Sequence, residues 1–292
     1  MLKKKLDHEE LTCKESCKTR DQGRGVFIDE EKFFRNSETY VHPTAVLGEN
    51  VELDENVKIG PFCVVVGKTK IASGSRLYSN VVMGLPAQYV GVRDSLGVIE
   101  IGHNCEFREF ATVHAAKAVD GQTKIGNNCY VMCHSHVGHD ATLEDNVILI
   151  NGVNLAGHVH VEKNAIIMAG AAMHQFCRVG SFTAVAPFGG SRQDLPPFCL
   201  FNEQPGAFAG LNVIGLKRAG FTSKNINALK HLTNLFYQKK LPFPDIKNLA
   251  QVEPEWGLEP VVQQFMNFVE NSKRGVSRRS VRDSGKEQSS DF

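Results

Sequence analysis

Residues 125–185 read IGNNCY VMCHSH VGHDAT LEDNVI LINGVN LAGHVH VEKNAI IMAGAA MHQFCR VGSFTA V, and the first residue of every hexad is large and apolar. The series runs Ile125, Val131, Val137, Leu143, Leu149, Leu155, Val161, Ile167, Met173, Val179 and Val185. Four residues after each comes a small or β-branched one: Cys129, Ser135, Ala141, Val147, Val153, Val159, Ala165, Ala171, Cys177 and Thr183. An amphipathic helix repeats every 3.6 residues and a half-buried strand every two, so neither yields strict sixes. Hexapeptide periodicity is the mark of a parallel β-helix, in which each short strand forms one flat side of a coil. The large residue fills the interior, and the small one lies where the wall turns.

The same phase extends outward. A second run steps through Val41, Leu47, Leu53, Ile59, Val65, Ile71, Leu77 and Met83, and a short one through Ile101, Phe107 and Val113. Two segments interrupt it. Residues 85–98 carry Pro86, Gly91 and Gly97, and residues 115–123 contain Asp120-Gly121. Both read as loops thrown out of the wall, where scaffolds of this kind carry function. The repeat fades after Val185 into Gly189-Gly190 and Pro196-Pro197, which close the barrel end.

From about residue 206 the pattern becomes helical. Ser223 is the expected N-cap of a helix bearing Ile226, Leu229, Leu232 and Leu235, with Pro242 and Pro244 expected to stop it. Val261, Val262, Phe265, Phe268 and Val269 make a second amphipathic face, and the Ser-, Arg- and Asp-rich end from about Ser277 is expected to be mobile. The expected organisation is a charged N-terminal extension (1–40), a β-helix (41–205) and a C-terminal α-helical domain with its tail (206–292), a mainly β fold.

The chain has 292 residues, 42% hydrophobic, with net charge +1, ample for one large core. Lys3, Lys4 and Lys5 are followed by Asp7, Glu9 and Glu10 where a secretory signal needs an apolar stretch. No apolar run approaches the roughly 20 residues of a membrane span. A cytoplasmic protein is expected, with no nucleic-acid partner. The eight cysteines form neither a disulfide framework nor a paired zinc spacing. Cys63, Cys105, Cys129 and Cys177 occupy the small buried position of the repeat. Residues 206–292 carry 13 Lys and Arg against 8 Asp and Glu, whereas residues 1–205 carry 20 against 24. A basic C-terminal end suits phosphates or an acidic partner.

Residues 18 apart occupy the same place on successive coils, so the hexads starting at Val137, Leu155 and Met173 share one face. They hold His139, His158 and His174, expected to line a strip roughly 10 Å long at strand spacing. Asp140 follows His139 and can hold an imidazole in one tautomer as a general base. Gly157 allows a backbone N–H to approach a reacting oxygen closely.

At these residues the chain resembles the UDP-N-acetylglucosamine O-acyltransferases that begin lipid A synthesis. The matching strings are His-Ser-His-Val-Gly-His-Asp (134–140), Leu-Ala-Gly-His-Val (155–159), His-Gln-Phe-Cys (174–177), Gly-Leu-Lys-Arg-Ala-Gly-Phe (215–221) and a closing Lys273-Arg274-Gly275. The resemblance implies a left-handed coil with three hexads per turn and a homotrimer with active sites between subunits. It implies no cofactor, with an acyl carrier protein bearing the acyl donor and a UDP-amino sugar as acceptor. It makes His139 the general base, Asp140 its support and Gly157 the oxyanion donor. Gln88, His136, His158, His174 and Gln175 become substrate-binding residues, and Asn212 and Arg218 contact the acceptor's nucleotide. The family usually has Gln-Asp and then Lys in the first loop, where this chain has Gln88, Tyr89 and Gly91. Ile214 replaces a usual Glu, and Ala219 replaces a second Arg. These departures leave open whether the acceptor presents a 3-hydroxyl or a 3-amine. Two other classes stand beside this reading: a zinc enzyme resembling γ-class carbonic anhydrase, with three histidine ligands, and a non-catalytic hexapeptide scaffold.

Overall fold

The computed structural model describes residues 27–94, 97–203 and 205–280. The Lys3–Glu10 stretch and the end of the tail lie outside them. Two-residue strands recur every six positions and stack into three parallel walls. The first wall starts with Tyr40–Val41, the second with Val46–Leu47 and the third with Val51–Leu53. Each strand pairs with the one a full coil later, as in Ile148↔Ile166 and Val137↔Leu155. The product is a left-handed parallel β-helix with a helical C-terminal part.

The hexad's chemistry explains the walls. From Ile59 to Val185 the large first residues are buried, and Cys63, Cys105, Cys129 and Cys177 are buried beside them. The first coil is the exception, because nothing among the described residues stacks beneath it. Val41 and Leu47 remain 37% and 38% exposed. Each coil turns its corner at the fourth hexad position, where the backbone is left-handed. Asn56, Asn80, Asn104, Asn128, Asn146 and Asn164 sit there at φ between 54° and 61°. Asn and Asp tolerate this conformation far better than most residues. Asp140 (φ 59°) and His158 (φ 61°) are corner residues of the same kind.

Both interruptions leave the coil at the corner between the second and third walls. The first lies between Val82–Met83 and Val98–Ile101. The second lies between Thr112–Val113 and Gln122–Ile125. The wall thus resumes at Gln122, slightly earlier than the sequence pattern suggests, because Gln122–Ile125 pairs over four residues with Val98–Ile101. The intervening lengths preserve the six-residue phase, so the two loops project from the edge that carries His139, two coils and one coil before it.

At the C-terminal end, Cys199–Asn202 and Ala207–Leu211 add an antiparallel hairpin to the first wall. Helices α1 (Val213–Arg218), α2 (Ser223–Thr233), α3 (Phe243–Val252), α4 (Pro254–Gly257) and α5 (Pro260–Glu270) follow. The N-cap of α2 is Thr222 rather than Ser223. Thr222 is extended, and its hydroxyl accepts from the Asn225 N–H in a capping box. Ile226, Leu229, Leu232 and Leu235 are buried as their spacing predicts. Pro242 and Pro244 begin α3 instead of stopping α2, which continues as a π-helical turn, Asn234–Gln238. A proline at the first turn loses no helical hydrogen bond. Nor is the start of the tail loose. Val276 bridges to Asp194 and Ser280 to Phe208, and the buried Ser277 hydroxyl donates to the Gly206 carbonyl. At the other end the turn Glu31–Arg35 lays Phe33 on the outside of the first wall. It covers Lys58, whose ammonium donates to Asn36 Oδ1 and the Glu38 carbonyl.

Candidate active site

Three columns of side chains run up the corner between the second and third walls. The second hexad position contributes Gly138, Ala156 and His174. The third contributes His139, Gly157 and Gln175, and the fourth Asp140, His158 and Phe176. Strands stack at about 4.8 Å, so each residue leans on its counterpart one coil away. His139 leans on a position without a side chain. A Cβ on Gly157 would lie 2.5 Å from His139 Nε2. In the fourth column the His158 and Phe176 rings stack at 4.4 Å, nearly parallel. The three imidazoles therefore do not form one row. His139 and His158 meet edge to face at 5.2 Å, whereas His174 stands in a different column.

His139 and Asp140 are mostly buried, and His139 Nδ1 lies 2.7 Å from Asp140 Oδ2. A carboxylate only accepts, so Nδ1 carries the proton and Nε2 is left with a lone pair against Gly157. The second loop and the strand that follows it hold Asp140 in turn: the Lys117 N–H donates to Asp140 Oδ2 at 3.0 Å, and the Asp140 N–H to Thr123 Oγ1 at 2.8 Å. His158 Nε2 lies 3.7 Å from the same carboxylate oxygen. Burial lowers the His158 pKa, Asp140 pulls it up, and His139 and Lys117 push it down. His136 shares Thr112 Oγ1 at 2.8 Å, and burial beside His114 and His139 holds it down to about 4. Both environments favour neutral imidazoles.

A cleft of about 400 Å³ opens in front of this cluster. Gln88, His136, His139, Gly157 and Gln175 line it with Tyr89, so five of the expected site residues come together. His174 lines an adjoining cleft of about 580 Å³ with Arg192 and Pro205, and the two share Ala172 and Met173. Asn212 and Arg218 line neither. Asn212 caps α1, accepting from the Gly215 N–H at 3.1 Å and donating to the Phe182 carbonyl at 2.9 Å. Arg218 is exposed in the last turn of that helix.

Sequence reasoning missed Thr123 and Lys117, and it named Arg274 in a matching string without giving it a role. Lys117 places its ammonium 3.5 Å from the Tyr89 ring centroid, joining the two loops, and Arg274 Nη2 reaches His174 Nδ1 at 3.2 Å. Counting coils across the insertion would have found Thr123, where the wall resumes, but not Lys117, whose segment has no period. Nothing periodic marks Arg274.

His139, Asp140 and His158 bring possible ligand atoms within 4.8 Å of one another. This is two imidazoles and one carboxylate, not the three histidines of the carbonic-anhydrase reading. One of its oxygens already accepts from both the imidazole and the Lys117 N–H. The arrangement suits removal of a proton by His139 Nε2. The Gly157 N–H, at the cleft wall and without a backbone hydrogen bond among the described residues, can meet a developing oxyanion.

A family model described as UDP-N-acetylglucosamine O-acyltransferase, domain 2, matches residues 194–277. An acyl-[acyl-carrier-protein]–UDP-N-acetylglucosamine O-acyltransferase of Thermodesulfovibrio yellowstonii is 34% identical over 257 residues, covering 82% of this chain and 99% of the relative. Its namesake in a Janthinobacterium species is 34% identical over 259 residues, with the same coverage. Among solved structures, the UDP-N-acetylglucosamine acyltransferase of Francisella novicida superposes with a TM-score of 0.76 at 28% identity, over 84% of this chain and 96% of that one. That of Bacteroides fragilis does so with 0.67 at 33%, over 82% and 98%.

Proposed function

Since the chain belongs to the acyl-[acyl-carrier-protein]–UDP-N-acetylglucosamine O-acyltransferase family, we propose that it moves an acyl group from acyl carrier protein to the 3-hydroxyl of UDP-N-acetylglucosamine, a step of lipid A synthesis, with His139 as general base. The observation that carries this is the chain of contacts from Asp140 through His139 to Gly157. His139 Nε2 takes the hydroxyl proton as the oxygen attacks the thioester carbonyl. The Gly157 N–H receives the negative charge on the carbonyl oxygen. The intermediate then expels the carrier's thiol, which leaves with the proton held on His139. Asp140 keeps Nδ1 protonated and stabilises the imidazolium formed in between.

The assembly is a homotrimer in this reading. Leu85, Tyr89, Val90, Val119 and Phe176 are exposed apolar residues along the edge that bears the imidazoles. Such a patch fits a second copy of the chain, which would also deliver Asn212 and Arg218 to the nucleotide. No helix among the described residues is long and apolar enough to cross a membrane.

The deciding experiment supplies hydroxyacyl carrier protein with equal 3-hydroxy and 3-amino UDP-sugars and identifies the product by mass spectrometry. The O-acylated sugar is expected to dominate, in keeping with the relatives named above. A product acylated only on the amine would move the chain to the 3-amino acceptor despite that likeness.

A further inference from the structure

The second hexad column does not end at His174. It continues one coil further to Arg192, because Gly190–Ser191 pairs with Ala172–Met173. Read upward, the column is Gly138, Ala156, His174, Arg192: two residues with almost no side chain, then an imidazole, then a guanidinium. The backbone of the next coil blocks any side chain at Gly138, where a Cβ would lie 2.7 Å from the Ala156 and Leu155 main chain. This makes a smooth trough leading from His139 towards a cationic end. The two adjoining clefts are its two halves.

A second arginine reaches the same end from a distant part of the chain. Residues 272–277 cross the end of the coil strapped to the buried Asp194. The Ser272 hydroxyl donates to Asp194 Oδ2 at 2.7 Å, the Asp194 N–H to the Gly275 carbonyl at 2.8 Å, and the Ser277 N–H to the Asp194 carbonyl at 3.0 Å. The strap presents Arg274, whose Nη2 donates to His174 Nδ1 and to the Arg192 carbonyl, both at 3.2 Å. Asp194 forms no ion pair with it: its two oxygens accept from Ser272 and from the Arg178 N–H. Neither Arg192 nor Arg274 makes an ion pair among the described residues. Two guanidiniums without a carboxylate partner among the described residues, beside an imidazole in a cleft of about 580 Å³, suit a phosphate.

We propose that Arg192, Arg274 and His174 form a phosphate subsite for the phosphodiester of the donor's phosphopantetheine arm, with the arm lying along the Gly138–Ala156 trough. The assignment rests on the acyltransferase reading and on length. Arg192 lies three coils beyond Gly138, roughly 14 Å at strand spacing. The nearer of the acceptor's two phosphates is five bonds from its 3-oxygen and the farther seven, too short a reach to stand that far from His139 while the 3-oxygen reacts there. A pantetheine arm puts its phosphate at about this distance from the thioester. Arg274 also orients His174. A guanidinium only donates, and its charged hydrogen bond outweighs the contact of Nδ1 with the neutral Gln175 carbonyl at 3.3 Å. Nδ1 is therefore the acceptor, and Nε2 carries the proton as a donor.

The test uses the full-length enzyme and its R192Q, R274Q and R274K variants, with three donors: acyl carrier protein, acyl-phosphopantetheine and acyl-pantetheine lacking the phosphate. The Gln variants should raise KM for both phosphate-bearing donors on the order of ten- to a hundredfold. They should leave KM for acyl-pantetheine and for the UDP-sugar unchanged, and R274K should recover part of the loss. Calorimetric titration with 4′-phosphopantetheine alone should show salt-sensitive binding that the Gln variants lose. An equal loss with acyl-pantetheine, or a rise confined to the UDP-sugar KM, would overturn the subsite, the latter assigning the arginines to the acceptor. Calorimetry needs no turnover. An enzyme that binds phosphopantetheine through these arginines but fails to acylate UDP-N-acetylglucosamine would therefore sink the acceptor assignment and leave the subsite standing.

Discussion

His139 is useful because of what surrounds its two nitrogens. Asp140 holds a proton on Nδ1, and Gly157 leaves room at Nε2. Removing the imidazole removes the base, so His139→Ala should lower kcat by about 10²–10⁴-fold while UDP-sugar binding survives. Unchanged turnover would mean that the proton leaves by another route. Gly157→Ala tests the packing. Its Cβ would lie 2.5 Å from the imidazole nitrogen, so the ring must move out of register with the cleft. Activity should fall while the thermal transition shifts little; full activity would show that the close approach is unnecessary. His136 carries a different prediction. Its folded pKa of about 4 lies below the ordinary 6.5, so between those values the unfolded chain binds the extra proton. This source of destabilisation is absent above pH 6.5 and grows as pH falls towards 4. His136→Asn should flatten the decline in denaturant stability across that window by about 1–2 kcal/mol. An unchanged slope would place the acid sensitivity elsewhere.

At the scale of the hexad, the corner decides which residues can be functional. The fourth position takes positive φ, and Asn, Gly, Asp and His fill most of it. Asp140 and His158 are two corner residues that also contact His139, so the fold already tolerates the types the chemistry needs. Where the corner is aromatic, stacking between coils offsets the unfavourable backbone. His158 on Phe176 is one case and Phe110 on His134, at 4.9 Å, is another. A β-branched residue has neither remedy. Asn128→Val should therefore destabilise by about 1–2 kcal/mol, whereas Asn128→Gly should be nearly neutral. Denaturant midpoints at one protein concentration would check the pair, and equal loss in both would point to the Asn side chain instead of the backbone.

For the whole molecule, the decisive feature is the exposed edge that carries the site. Tyr89, Val90, Val119 and Phe176 project there, and the residues expected at the nucleotide sit on α1, away from the cleft of the same chain. Sedimentation should report a trimer, and dilution that dissociates it should abolish turnover. A stable monomer with full activity would contradict a site shared between subunits. Far-UV circular dichroism should be dominated by strand, with a helical minority from α1 to α5.

The interior from Ile59 to Val185 was legible residue by residue, because each coil touches only its neighbours and a one-dimensional code suffices for one-dimensional stacking. The same counting placed His139, His158 and Gly157 at one corner. It put His174 in the same strip although that residue stands at a different hexad position, and the position decides which column a side chain joins. Position two points along the trough, while positions three and four pack on the next coil. Tertiary structure alone decided the rest. Lys117 reaches Asp140 from an insertion whose path has no period, and Thr222 displaced Ser223 as a cap through the dihedrals its neighbours impose. Arg274 meets His174 across 100 positions of sequence only because a strap is pinned to a buried aspartate. Contacts of that length depend on where two ends of a finished coil come to lie, and no local pattern encodes it.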